Sequence, residues 1–250
     1  MTGLQDKRRA IRLLLREREP ADAMAAYYAF HHPDDKTTLV LPPAAGEGIR
    51  ADGYVALSRT GIDLFRPLVT LRLPTDRHPN AAQDAADLLR LALGSGQPVI
   101  LSAPVRYLPL LQAFFDIQSE EHLRLYALDA RRFEPIVNVL VTRSTGPGNL
   151  PRFTIRSSQS GEEEVVASAT LNWQSPAFGE VAVSTRPQHR RQGWGRSVVA
   201  ALSQYLLDSG RTPLYVVAEE NAASIQLAES VGFTDTCVRE VMLQAALRKR

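Results

Sequence analysis

One cysteine, Cys237, occurs in the 250 residues of the chain. No disulfide can close within it and no cysteine-based metal site can form, which fits a reducing compartment. Cys237 also has no His/Asp partner pattern, so it reads as a small packed apolar side chain rather than a nucleophile. The pair His31-His32 lacks surrounding cysteine or acidic ligands and reads as surface histidines at a helix end, so no metal is expected. Long apolar runs are missing as well. The first thirty residues alternate charge with leucine and alanine, and neither a signal peptide nor a membrane span is predicted, so a cytoplasmic protein with no membrane partner is expected. A surplus of charge is equally absent, since 29 basic and 27 acidic residues leave a net charge of +2. That balance is too even to announce nucleic acid as a partner.

What remains is ordinary core-forming material, 44% hydrophobic and 22% charged, and a length that suits two compact units. An amphipathic helix is predicted over Asp6–Arg18, and a second after Pro20 towards His31-His32-Pro33. Strands follow at Thr37–Leu41, Gly53–Ser58 and Leu68–Leu73, and a helix at Ala81–Leu93 ends on Gly94-Ser95-Gly96. A buried strand at Pro98–Ser102, a helix at Tyr107–Phe115 and a strand at His122–Leu128 complete the first half.

Arg143 to Pro151 is dense in turn formers and is the best linker candidate, giving domains 1–143 and 144–250. Beyond it, Phe153–Ser157, Val165–Trp173 and Gly179–Ser184 read as three successive antiparallel strands, the first two joined by the acidic turn at Gly161–Glu164. A helix at Gly195–Leu207, a strand at Leu214–Ala218, a helix at Ala222–Ser230 and a strand near Val238–Leu243 close the order. The two halves share this sequence of elements. Leu88 to Val99 and Leu202 to Leu214 each run through helix, Ser-Gly stop, proline and strand, which predicts an internal repeat.

The chemistry lies in Arg190-Arg191-Gln192-Gly193-Trp194-Gly195, between a strand and a helix. Such a turn aims several backbone N–H groups into one concavity at a helix N-terminus, where the dipole also favours negative charge. Gly193 and Gly195 open dihedrals closed to other residues and let phosphates approach the backbone. Arg186, His189, Arg190, Arg191 and Arg196 add positive charge around the same mouth. Alone, R-x-x-G-x-G is also the pattern of a plain tight turn. It is followed, however, by Asn221-Ala222-Ala223-Ser224, Leu227 and Gly232-Phe233.

Together with Thr185-Arg186-Pro187, these residues resemble the acyl-CoA-binding half of the GNAT superfamily of N-acetyltransferases. The glycine N-acyltransferase-like branch is the nearest likeness, and the match covers residues 165 to 243. The resemblance implies an α+β fold, a mixed, mostly antiparallel central sheet flanked by helices, present twice, the N-terminal copy being degenerate. It implies acetyl-CoA as acyl-donor substrate, with Val181, Ala182 and Val183 bonding the pantetheine through their backbone. The amides from Arg191 to Arg196 would hold the pyrophosphate, with Arg190 beside them. Asn221 would orient the cofactor near the thioester and Ser224 would face the same cleft. Asn221 is equally a good helix N-cap.

Acyl transfer to an amine needs a base, an oxyanion stabiliser and a proton for the leaving thiolate. Glu180, at the start of the pantetheine strand, is the candidate base, against a plain strand-edge glutamate. The family's usual tyrosine after the last helix's leucine is Ala228 here, which leaves Ser224, Tyr205, Tyr215 or water to supply the proton. The expected activity is acetyl or other short acyl transfer from CoA to a small-molecule or peptide amine in a ternary complex. An inactive acyl-CoA sensor or interaction module is the alternative. A nucleotide-binding regulator is disfavoured because no Lys-Ser/Thr follows the glycines. The N-terminal half has Pro-Thr-Asp-Arg-His-Pro-Asn in place of the glycine loop and would shape the acceptor side or a homodimer surface.

Overall fold

The computed structural model describes residues 3–43, 50–61, 63–74, 80–159 and 162–249. The first half runs α1 (Leu4–Ala10), α2 (Ala23–Ala26), β1 (Thr37–Val40), β2 (Tyr54–Ser58), β3 (Leu68–Arg72), α3 (Ala81–Ala92), β4 (Pro98–Pro104), α4 (Leu108–Phe114) and β5 (Phe115–Leu128). The second runs β6 (Val141–Thr145), β7 (Pro151–Gln159), β8 (Glu162–Gln174), β9 (Phe178–Thr185), α5 (Trp194–Asp208), β10 (Thr212–Ala218), α6 (Ala222–Val231) and β11 (Phe233–Leu247). They form two compact units, one reaching to Leu123 and including the chain's end from Arg239, the other spanning Arg124–Val238.

In the N-terminal unit β1, β2 and β3 form an antiparallel meander. The chain then crosses through α3 to β4, parallel to β3. Val241–Ala246 of β11 pairs antiparallel with β4, so the chain's last strand completes this sheet. Ala85, Leu88 and Leu89 of α3 pack against Val69, Leu71 and Leu101, and each such buried aliphatic contributes about 1.5–3 kcal/mol. The helix predicted over Asp6–Arg18 stops at Ala10, where Ile11 leaves helical geometry and one 3-10 turn follows at Arg12–Leu14. The buried Arg8 guanidinium, bonded to the carbonyls of Ala29 and His32 and to Asp34, ties α1 down at that point.

The C-terminal unit has β6, β7, β8 and β9 as an antiparallel meander and β10 parallel to β9, with β5 beyond β10. Val198, Val199, Leu202 and Leu206 of α5 pack on Ile155, Ala167 and Ala169. The helix lies close on β9, because a Cβ at Gly179 would sit 2.7 Å from Leu206 Cδ2. The predicted acidic turn lies partly outside the described residues, which omit 160 and 161.

The stretch from Arg143 to Pro151 is no linker. Thr145 pairs with Pro151, and the Gly146 N–H donates to the Leu150 carbonyl at 2.7 Å, closing the β6–β7 hairpin inside the C-terminal unit. The compact units therefore part at 123/124 and 238/239 rather than at 143/144. Both partings fall within or between residues of long strands, β5 and β11, where no turn former marks them.

Each unit shows the same local device. Among the described residues, strand β3 meets β4 over Leu68, Val69 and Thr70, and β9 meets β10 over Phe178, Gly179 and Glu180. Past those three pairs the parallel strands have no register partners in each other among the described residues, and a backbone edge opens between them. The architecture is α+β, with mixed, mostly antiparallel pairing and flanking helices.

Candidate functional site

Glu180 is the last residue of β9 with a partner in β10, opposite Leu214. On the other side β9 stays paired with β8, Val181, Ala182 and Val183 facing Leu171, Thr170 and Ala169. Backbone groups of Val181–Val183 that point towards β10 therefore have no ladder partner among the described residues. Unpaired strand N–H and C=O groups are a ready template for an extended amide-bearing ligand.

The strand leads directly to a helix start. Gly193 is the N-cap of α5 in the left-handed region, φ 76°, and no side chain caps the helix. The first intrahelical bond is from Ser197 N–H to the Gly193 carbonyl, 3.0 Å, so the amides of Trp194, Gly195 and Arg196 lack intrahelical partners. Arg191, at φ 61°, shares the tight turn. A Cβ at Gly195 would lie 3.1 Å from Thr185 Oγ1, so this residue lets the helix start approach the end of β9. The glycine turn predicted from the pattern is formed, with three backbone amides that have no partner inside the helix and with Gln192 exposed beside them.

The arginines are distributed differently from expectation. Arg186 pairs with Glu164 at 2.9 Å and donates to the Val165 carbonyl. Arg190 donates to the Thr185 carbonyl, and Arg196 to the Ser230 carbonyl at the end of α6. Arg196 also borders a cavity of about 400 Å³ lined by Arg132, Glu134 and Glu229, whose mixed signs favour no single ion. His189 is buried and stacks on Trp194, ring centroids 5.2 Å apart. Arg186, Arg190 and Arg196 therefore each brace the loop through at least one guanidinium nitrogen, beside the backbone amides of the turn.

Glu180 is 5% exposed and is no strand-edge residue. A bulge in β8 puts Trp173 opposite Glu180 while Leu171 faces Val181, leaving Asn172 as the extra residue. Asn172 Nδ2 donates to Glu180 Oε1 at 2.6 Å and Trp173 Nε1 to Oε2 at 2.5 Å. Burial pushes the Glu180 carboxyl above the ordinary glutamate range, and the two donors pull back against it. A buried carboxylate with a raised pKa is suited to accept a proton near neutral pH. Sequence reading missed this pair, because a bulge has no residue signature beyond an ordinary strand.

On the β10 side, Asn221 caps α6, its Oδ1 accepting from the Ser224 N–H at 3.0 Å. Ser224 Oγ lies 2.7 Å from the Tyr215 hydroxyl, whose pKa burial raises while the Ser224 bond lowers it. Tyr215 directly follows Leu214, the last β10 residue paired with β9. Tyr205 sits elsewhere, packed by Phe153 and covered by the Arg143 guanidinium at 4.4 Å. Ala228 is fully buried.

The other predicted residues resolve as follows. Cys237 is exposed rather than packed, at φ 63°. His31 pairs with Glu17 at 2.7 Å, while His32 is buried against Thr37 and is no surface residue. No group of metal ligands occurs among the described residues, and no helix among them is long and apolar enough to cross a membrane.

The N-terminal unit treats its own opening differently. Past the Thr70–Ser102 pair, the Leu73 N–H donates to the Tyr107 hydroxyl at 3.3 Å, which lies 3.4 Å from the Leu73 carbonyl. Counted from the last register pair, Leu73 matches Val183. Arg72, matching Ala182, is buried and paired with Asp22 at 2.6 Å. The loop predicted to have lost the phosphate seat lies largely outside the described residues, which omit 75–79.

Residues 162–242 match the family model described as FR47-like protein. No curated protein matches the chain in sequence. Among solved structures, a tandem GNAT protein from the clavulanic acid biosynthesis pathway superposes with a TM-score of 0.61 at 15% identity, covering 99% of this chain and 95% of that one. A GCN5-related N-acetyltransferase from Sphaerobacter thermophilus gives 0.59 at 14% identity, with 99% and 95% covered. Another from Kribbella flavida gives 0.59 at 16%, with 90% and 93% covered. With its diverging strand pair, its uncapped glycine turn and these likenesses together, the chain is built on the GNAT fold in tandem and resembles the GNAT superfamily of N-acetyltransferases in sequence motif.

Proposed function

We propose that the C-terminal unit binds acetyl-CoA, or another short acyl-CoA, and transfers the acyl group to a primary amine in a ternary complex. The observation that carries this reading is the coincidence of the open β9 edge after Glu180 with the uncapped start of α5. A pantetheine amide can pair with Val181–Val183 while the pyrophosphate accepts from the amides between Arg191 and Arg196. Asn221 keeps α6 anchored beside the thioester.

The neutral amine nitrogen attacks the thioester carbonyl carbon. Glu180 takes the amine proton, directly or through one water. The tetrahedral intermediate then collapses with cleavage of the C–S bond, and the departing thiolate takes a proton relayed through Ser224, whose oxygen is reprotonated by the Tyr215 hydroxyl, the tyrosinate then regaining its proton from solvent. This pair stands in for the tyrosine absent at Ala228, and it outranks Tyr205, whose ring is committed to Phe153 and Arg143. The N-terminal copy takes no acyl-CoA on this reading, because Tyr107 and Arg72 fill the corresponding edge.

A second reading, an acyl-CoA-binding sensor without turnover, has Ala228 in its favour. The discriminating experiment follows release of free thiol from acetyl-CoA across a panel of primary amines. Amine-dependent release supports transfer. Tight binding with no release on any amine supports the sensor.

A further inference from the structure

The β8 bulge is an unusual place to spend an indole. Trp173 is 1% exposed, and its N–H meets a carboxylate oxygen rather than a backbone carbonyl. Without the bulge, period-two alternation would send Asn172 and Trp173 to opposite faces of the sheet, and only one could reach Glu180. The extra residue lets neighbouring side chains converge on one carboxylate, one on each oxygen.

We propose that Asn172 and Trp173 are positioning residues for Glu180, together fixing the direction of its carboxylate and holding it in the charged form that accepts the amine proton. The proposal rests on the reading of Glu180 as the base. Its logic is electrostatic. A carboxylate at 5% exposure loses most of its hydration, and desolvation favours the protonated acid. A protonated Glu180 cannot accept a proton. Two N–H donors replace the lost water and stabilise the anion selectively, since neither donor gains as much from a neutral acid. Both oxygens are engaged through fixed geometry, so the plane of the carboxylate is set by the bulge and not by solvent. Asn172 is itself exposed, which leaves its carbonyl end free to meet solvent while its amide is held on Glu180.

The test uses the full chain labelled with 13C at the glutamate carboxyl carbon, with the Glu180 signal assigned by its absence in Glu180→Gln. Titration of that signal is compared among native protein, Trp173→Phe and Asn172→Ala. Each variant removes one donor, and the carboxyl should titrate about one pH unit higher in each, while acetyl-CoA affinity stays within about twofold. Asn172→Ala alters an exposed side chain and decides the matter if Trp173→Phe fails to fold. A carboxyl that titrates at the same pH in a cooperatively folded variant overturns the proposal and leaves the base reading standing. A Glu180→Gln protein that releases thiol at the native rate sinks the base reading, and the positioning role with it.

Discussion

Glu180 and Leu214 are the last residues at which β9 and β10 hold each other in register. From that pair outward the two strands present separate edges, with a buried carboxyl at the vertex and the Tyr215–Ser224 hydroxyls on the facing strand and helix. The open edge that the proposed acyl-CoA reading relies on is therefore a consequence of where one ladder stops. Had pairing continued by three residues, Val181–Val183 would be spent on the sheet.

Replacing Glu180 by Gln should lower amine-dependent thiol release by about 10²-fold or more, with acetyl-CoA affinity unchanged. In the native protein the acid limb of the rate profile should lie above the ordinary glutamate pKa of about 4.3, because burial raises the Glu180 pKa. Activity rises with pH through that limb as the carboxyl ionises. Stability runs the opposite way. The folded protein binds a proton there more tightly than the unfolded chain, so this group's contribution falls as pH climbs from the unfolded to the folded pKa. Steady-state rates and urea midpoints over that window check both signs.

Tyr107→Phe should leave acyl-CoA binding at one equivalent per chain, since Arg72 and Asp22 still occupy the N-terminal edge, while the lost contact with Leu73 lowers stability by about 0.5–1.5 kcal/mol. Calorimetric stoichiometry reads the first outcome and chemical denaturation the second. A stoichiometry of two in the native protein would contradict the closed N-terminal copy.

His32, in the N-terminal unit, provides a second pH handle. Burial holds its pKa below the ordinary histidine value, with Lys36 adding to that and Asp35 opposing it. The unfolded chain takes up the proton first, so the stability contribution is complete above about pH 6.5 and declines as pH falls through that value towards the folded pKa. A His32→Gln variant should flatten this slope between pH 7.5 and 5.5 in urea melts.

Asn221→Ala removes the α6 cap seen on the Ser224 N–H and should cost about 1 kcal/mol. Because Ser224 faces Tyr215, the same change should also reduce thiol release. Ser224→Ala, with the cap intact, should reduce release and cost about 1–3 kcal/mol, because it takes this partner from the buried Tyr215 hydroxyl. Equal turnover in native protein and Ser224→Ala would remove the hydroxyl pair from the mechanism.

The local structure around the candidate site was largely legible in the residues. The glycine turn, the asparagine cap and most strands carry local signals: Gly193 needs its positive φ, Asn221 prefers the N-cap, and alternating apolar residues mark β7 to β9. The boundary was not legible. Turn formers from Gly146 to Leu150 mark a hairpin as readily as a linker, and the true partings lie along β5 and β11, which read as plain strand. The clamp on Glu180 was hidden for a similar reason, since a bulge changes register without changing composition. The direction of the arginines was not legible either, since charge in a sequence gives none, and Arg186, Arg190 and Arg196 each turn a nitrogen to a neighbouring carbonyl or to Glu164.

The most direct test is a calorimetric titration of the full chain with acetyl-CoA beside a variant carrying Gly193→Val and Gly195→Val. Valine at 193 must adopt φ 76°, and a Cβ at 195 meets Thr185 Oγ1 at 3.1 Å, so both changes strike the glycine turn proposed to hold the pyrophosphate while the core of α5 is left intact. One micromolar site is expected in the native protein, weakened at least tenfold in a variant that still melts cooperatively. Absence of binding by the native protein, or equal binding by both, would contradict the acyl-CoA reading.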